Sequence, residues 1–313
     1  MATTTKETSP TPTAPAAPAG VDKGADKAVR DVPTRRISFE ESLRSVPKHF
    51  AADGDLIASH LIATLSSLFP DGEDFFVRSV RHYRSQISDP ELKRQVTGFI
   101  GQESVHGREH RAFNDRLAEL GYPTKRYEQL VRWALTAREK VGPPQVNLAV
   151  TAALEHFTAT LAELVLSDED FRNRMGHPAV RDLFLWHALE EAEHKAVAFD
   201  VYRAIGGSER VRIWTMKVIR KAFAVVTVLM VIGSLLRDRA TYRPGTLRAS
   251  WRRFKQTPFL QRQLWDQLRS YDRRGFHPDD RDTTELVAQW REALFGAEGT
   301  LNDKLTSVAA AAA

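Results

Sequence analysis

The chain has 313 residues, 42% of them hydrophobic, enough for one core of about 150 to 200 residues with appendages. It contains no cysteine, which excludes disulfide staples and thiolate metal sites, so any metal must be held by nitrogen and oxygen ligands. A net charge of +5 leaves an acidic partner open, but there is no Gly-rich phosphate loop, Ser-His-Asp arrangement, dinucleotide fingerprint or nucleic-acid module.

Residues 1–36 are rich in Thr, Pro, Ala and Lys and poor in large apolar side chains, which predicts a disordered leader. They lack the continuous apolar core of a signal peptide, so a cytoplasmic protein is expected. Residues 37–208 form the expected main domain. An apolar helix over 55–68 meets Phe69-Pro70-Asp71-Gly72, which predicts a kink or restart and places Glu73 in the first turn of the next segment. Glu73 falls on the stripe Phe69, Glu73, Phe76, Val80, Tyr83, Ile87. Asp89-Pro90 supplies an N-cap and an N1 proline for a helix of about 30 residues that stops at Gly121-Tyr122-Pro123. Its seam reads Val96, Phe99, Glu103, His106, His110, Phe113, Leu117, Leu120.

Residues 124–140 make a connecting helix without ligands on its apolar face. The helix over 145–166 carries Glu155 among Leu148, Ala152, Ala159, Ala162 and Leu166, small side chains that leave room for a metal, a substrate or close helix packing. After His177-Pro178 one helix is expected to reach Gly206-Gly207, with the seam Val180, Phe184, His187, Glu191, His194, Ala198, Val201, Ile205. Glu-x-x-His therefore occurs twice, each time in the middle of an apolar seam. Burying such groups costs several kcal/mol unless they are paired or bind a cation. Four Glu and three His carry too much negative charge to neutralise one another, and a dinuclear bundle site takes one Glu from each of two helices and a Glu-x-x-His pair from each of the other two. His110 reads as a group behind the ligands. Glu109, Glu190, Glu193 and His156 lie off the seams and read as solvated or locally hydrogen-bonded.

Residues 209–240 contain an uncharged run, 222–236, flanked by Arg212, Lys217, Arg220, Lys221, Arg237 and Arg239. At about 22 Å it is short against a hydrocarbon thickness of about 30 Å. It fits a helix lying on an anionic membrane surface, or one buried against the bundle or a partner subunit. Residues 241–313 read as a basic helical extension, in which His277, Asp279, Asp280 and Asp282 form a capped turn rather than a metal site.

The order Glu73, Glu103 with His106, Glu155, Glu191 with His194 resembles the ferritin-like di-iron carboxylate superfamily over roughly residues 56–205. His187-x3-Glu191-x2-His194 is similar to the extra-histidine motif of the arylamine N-oxygenases. The phrases FPDGEDFF, GQESVHGREH, LEHFTA and ALEEAEHKAVAFDVY resemble more closely still a bacterial family labelled predicted metal-dependent hydrolases. The resemblance implies an all-α, ferritin-like four-helix bundle with a C-terminal helical extension. It also implies seven metal ligands, Glu73, Glu103, His106, Glu155, His187, Glu191 and His194, of which Glu103, Glu155 and Glu191 would serve catalysis.

The implied function is a non-haem di-iron oxygenase or oxidase, with two iron ions or alternatively manganese, O2, an electron donor and a small lipophilic organic substrate. A dinuclear metal-dependent hydrolase is the rival reading, and a ferroxidase or iron-binding role the third. No nucleic-acid partner is expected. A homodimer and peripheral contact at the inner face of the membrane are.

Overall fold

The computed structural model describes residues 31–306, and the described residues are helical throughout apart from turns and one isolated β-bridge. The leader expected over 1–36 lies outside the described residues as far as residue 30, as does the alanine tail. Residues 31–36 are ordered, against that expectation, because α3 offers them a seat, as shown below.

A short α1 (Glu40–Leu43) precedes α2 (Leu56–Tyr83), which starts where the Asp55 carboxylate accepts the Ala58 N–H at 2.9 Å. Of the kink or restart expected at Pro70, the restart does not occur; α2 continues through it as one helix. Proline deprives the Ser66 carbonyl of its helical donor, and the Asn114 side-chain amide replaces it at 3.1 Å. Glu73 is consequently a mid-helix residue. Next come α3 (Pro90–Glu119), capped by Asp89, then α4 (Thr124–Val141), α5 (Pro144–Ser167) and the short α6 (Glu169–Asn173). The last bundle helix is split: α7 (Pro178–His194) and α8 (Val197–Ala204) are separated at Lys195 and Ala196. There the Lys195 ammonium donates to the Arg281 carbonyl and the Thr283 hydroxyl, tying the break to a later segment that local periodicity does not reveal.

Helices α2, α3, α5 and α7 with α8 enclose the core. Apolar side chains fill it on two sides of a polar middle: Phe39, Phe50, Phe113, Leu183 and Trp186 on one, Phe75, Phe99, Phe157, Val201 and Tyr202 on the other. The rest of the chain wraps this bundle. α9 (Glu209–Leu235) lies along α2 and α5, α10 (Thr246–Phe254) on α2, α11 (Arg262–Ser270) on α5, and α12 (Thr284–Phe295) on α7. The uncharged run at 222–236 is thus the end of a longer helix. That helix is pinned at its start by the buried Arg212, which donates to the carbonyls of Tyr271 and Arg273 and pairs with Glu209 at 2.8 Å.

Residues 31–39 cross α3 as a strap. They can do so because α3 presents Gly98 and Gly101 beneath it: a Cβ at Gly98 would sit 2.1 Å from the Val32 carbonyl oxygen, and one at Gly101 2.0 Å from the Thr34 hydroxyl. The strap is held from the other side by Ser38 N–H to the Lys304 carbonyl at 3.0 Å and Thr306 N–H to the Arg36 carbonyl at 2.9 Å. Gly98→Ala is expected to lower stability by about 1 to 3 kcal/mol through overpacking and to free the strap. Thermal unfolding together with limited proteolysis near residue 35 checks this.

Candidate metal centre

All seven residues singled out in the sequence converge in the polar middle of the bundle, each less than 5% exposed. α2 contributes Glu73, α3 Glu103 and His106, α5 Glu155, and α7 His187, Glu191 and His194. His194 Nε2 lies 3.0 Å from Glu103, 3.4 Å from Glu155 and 3.6 Å from Glu191. His106 Nδ1 lies 3.9 Å from Glu103 and 3.7 Å from Glu191. His187 Nε2 faces Glu191 at 2.9 Å and Glu73 at 3.9 Å, so its ring points into the cluster. Ligand atoms of Glu73, Glu103 and His106, and separately of Glu103, Glu191 and His194, lie within 4.8 Å of one another.

Each imidazole is aimed by a partner on its outer side. His106 Nε2–H donates to Glu190 at 3.0 Å, which leaves Nδ1 as the inward lone pair. His194 Nδ1–H donates to the Gln102 carbonyl oxygen at 2.8 Å; the Gln102 amide is itself oriented by donating to Glu193 and the Pro33 carbonyl. His187 Nδ1 is joined to His110 Nε2 at 2.6 Å, and His110 Nδ1 to the Ser66 hydroxyl at 2.9 Å, which puts His110 behind His187.

Here the reading of the off-seam residues as solvated or merely local is corrected. Glu190 and Glu193 are fully sheltered, bound by Arg35 of the strap at 2.9 and 2.7 Å, and Glu193 also by Arg291 of α12 at 2.8 Å. Glu109 is buried and accepts the Phe39 N–H at 2.7 Å, and His156 packs against Tyr271 and Phe276. Their covers come from residues 31–39 and 271–291, distant in sequence, so helical periodicity alone could not find them. The signal that was available is Glu190 and Glu193 sitting three apart beside the ligand stripe. The FHPDDRD turn is a cap, as read: His277 and Asp280 close a capping box, and Asp282 accepts the Thr284 N–H.

Seven carboxylate oxygens, both from Glu73, Glu103 and Glu155 and one from Glu191, make no well-directed hydrogen bond among the described residues, nor do His106 Nδ1 and His194 Nε2, whose near neighbours are these same carboxylates. A buried orphan of this kind is rare and costly. Burial, with repulsion from neighbouring carboxylates, pushes Glu73 and Glu103 well above the usual carboxylate range and Glu155 up to about 7. Glu191 moves down despite its burial, held by His194 and His187. Burial opposes charging His194, yet the carboxylates around it, Glu191 first, hold its pKa well above normal. Without a cation the cluster takes up protons. Nitrogen and oxygen donors whose outer atoms are tied and whose inner atoms are bare fit divalent metal ions.

An apolar cavity of about 190 Å³ reaches this cluster. Its walls are Leu61, Leu65 and Phe69 of α2, Leu161 and Ala162 of α5, and Phe184 of α7, and its inner end is His187 and Glu191. Ala162 thus both packs in the core and lines this cavity.

Over residues 33–282 the sequence matches the family described as predicted metal-dependent hydrolase. The chain belongs to that family. No curated protein and no solved structure matches it. The family match takes in all seven converging residues and also Arg35, Gln102, Glu190 and Glu193, but not Arg291. The family description and the bare donor set agree on metal dependence.

The double variant Glu103→Ala/Glu191→Ala is expected to lose essentially all bound metal, against about two ions per chain in the parent protein; metal analysis after gel filtration measures this. Glu190→Gln leaves every inward donor in place but weakens the hold on His106, and should reduce metal affinity by about 10- to 100-fold, read by competition with a chelating dye.

Proposed function

We propose that the protein is a dinuclear metal-dependent hydrolase acting on a small apolar ester or amide. The observation that carries the proposal is the position of the bare donor cluster at the inner end of an otherwise apolar cavity. Glu73, Glu103, His106, Glu155, His187, Glu191 and His194 would hold the ions. When bound, two divalent cations supply a water acidic enough to ionise near neutral pH and polarise a carbonyl oxygen.

The rest of the work falls to the chain. Leu61, Leu65, Phe69, Leu161 and Phe184 would seat the apolar part of the substrate and exclude bulk water, leaving its polar end beside His187 and Glu191. A cavity of about 150 Å³ already accommodates benzene, so a ring or a short branched chain fits the space at this site. The outer partners Glu190, Gln102 and His110 keep the imidazoles from turning when substrate enters.

A second reading, oxidation of an apolar substrate by O2 at a di-iron centre, is favoured by the donor set itself. Four carboxylates with three imidazoles, drawn as two Glu-x-x-His pairs and two single Glu from four helices, suit iron and manganese. One experiment separates the two readings. Protein loaded anaerobically with Fe(II), Mn(II) or Zn(II) is given a panel of p-nitrophenyl esters and anilides, and both nitrophenol or nitroaniline release and O2 uptake are followed. Hydrolysis is expected with redox-inert Zn(II), absent from Glu103→Ala/Glu191→Ala. Rapid O2 uptake by the Fe(II) protein with no hydrolysis under any metal would replace this reading with the second.

A further inference from the structure

α9 has two unlike faces. Inward, Met216, Thr227, Met230 and Ser234 are buried, Phe223 meets Phe157 of α5 at 5.0 Å, and the Tyr127 hydroxyl donates to the Met230 carbonyl. Outward, Trp214, Val218, Val225, Leu229, Ile232 and Leu236 recur every three to seven residues and are 43 to 63% exposed. That stripe is about 33 Å long, a continuous apolar surface of a kind that marks an interaction site.

The charge of this segment is mostly of one sign, although Arg212, Arg220, Arg253 and Arg262 pair with acids outside it. Between Arg210 and Trp265 there are thirteen Lys and Arg residues and one acid, Asp238. Asp238 is buried and already held by Lys48, His49 and His60. Lys217 and Lys221 border the stripe, and Arg237, Arg239, Arg243 and Arg248 follow its end; all six are exposed and have no acidic partner among the described residues. The surface continues past the helix, since the Tyr242 hydroxyl folds back to donate to the Leu236 carbonyl at 2.9 Å, and Leu247 and Trp251 of α10 are exposed beyond it.

We propose that this face docks on an anionic lipid surface, with α9 lying in the plane of the headgroups rather than crossing them. The apolar stripe enters the headgroup–acyl boundary while Lys and Arg at its border and end meet lipid phosphates. α9 is long and apolar enough to cross a membrane, but its inner face is committed to α2 and α5, which carry Glu73 and Glu155. Crossing would draw the charged bundle into hydrocarbon. A second copy of the chain is the poorer occupant, because a two-fold pairing sets this basic face against itself. The docked face also adjoins the cavity: Trp251 stacks on Phe254, which with Arg253 lines the cavity.

The inference is independent of the reaction catalysed. Its test is flotation of the full chain with vesicles of phosphatidylcholine alone and of phosphatidylcholine with about 30% phosphatidylglycerol, a composition that sets up a negative surface potential. Binding is expected on the anionic vesicles only, and should fall at least tenfold in about 1 M salt, where screening is short-ranged. Lys217→Glu/Lys221→Glu/Arg239→Glu should lose binding at least tenfold with unchanged circular dichroism and thermal unfolding. Val225→Ser/Leu229→Ser should weaken binding while keeping its salt dependence. Absence of flotation, or equal binding to both vesicles, overturns the proposal. So does a concentration-dependent dimer in sedimentation that Val225→Ser/Leu229→Ser dissociates while vesicle binding is unaffected.

Discussion

The structure is organised around one electrostatic problem: four carboxylates and three imidazoles are removed from water at the centre of a helical bundle. Removing a charged group from water costs several kcal/mol even after the surroundings relax, and seven of the carboxylate oxygens receive no well-directed hydrogen bond in return. Packing could not maintain this arrangement as a stability device, since apolar residues of similar volume would do better. Bound cations would resolve it, and the two apolar clusters on either side hold the donors in place.

That rigidity extends outward through hydrogen bonds. A bare imidazole nitrogen is useful only if the ring cannot flip, and each ring is fixed by a different device: a carboxylate for His106, an amide for His194 and another imidazole for His187. Two of these devices lead to the same place. Glu190 and Glu193 share Arg35, and Gln102 is tied to Pro33, so residues 33–35 act as a clip across the outside of α3 and α7. Gly98 and Gly101 let that clip lie close enough to reach in. Two glycines on the outer surface of a helix thus govern the orientation of histidines in its interior.

The wrapping helices divide the labour. α12 completes the outer frame through Arg291, α10 borders the cavity through Arg253 and Phe254, and α9 leaves its outer face apolar and basic.

The sequence alone determined the all-α class, the extents of α3, α4 and α5 to within a few residues, and the seven converging residues. The reason is that metal-binding side chains on a buried seam must obey the three-and-four spacing of the helix, so the chemistry is written in local periodicity. Of the kink or restart it allowed at Pro70, the restart does not occur, because the acceptor freed by that proline is satisfied by Asn114, forty-eight residues from Ser66. It also treated Glu190 and Glu193 as surface groups and assigned residues 31–36 to a leader. Those outcomes depended on Arg35 meeting α7 and on Val32 meeting Gly98, contacts between segments 60 to 160 residues apart. Only the tertiary structure decided them, since a helix's own pattern tells which residues face inward but not what will come to cover the rest.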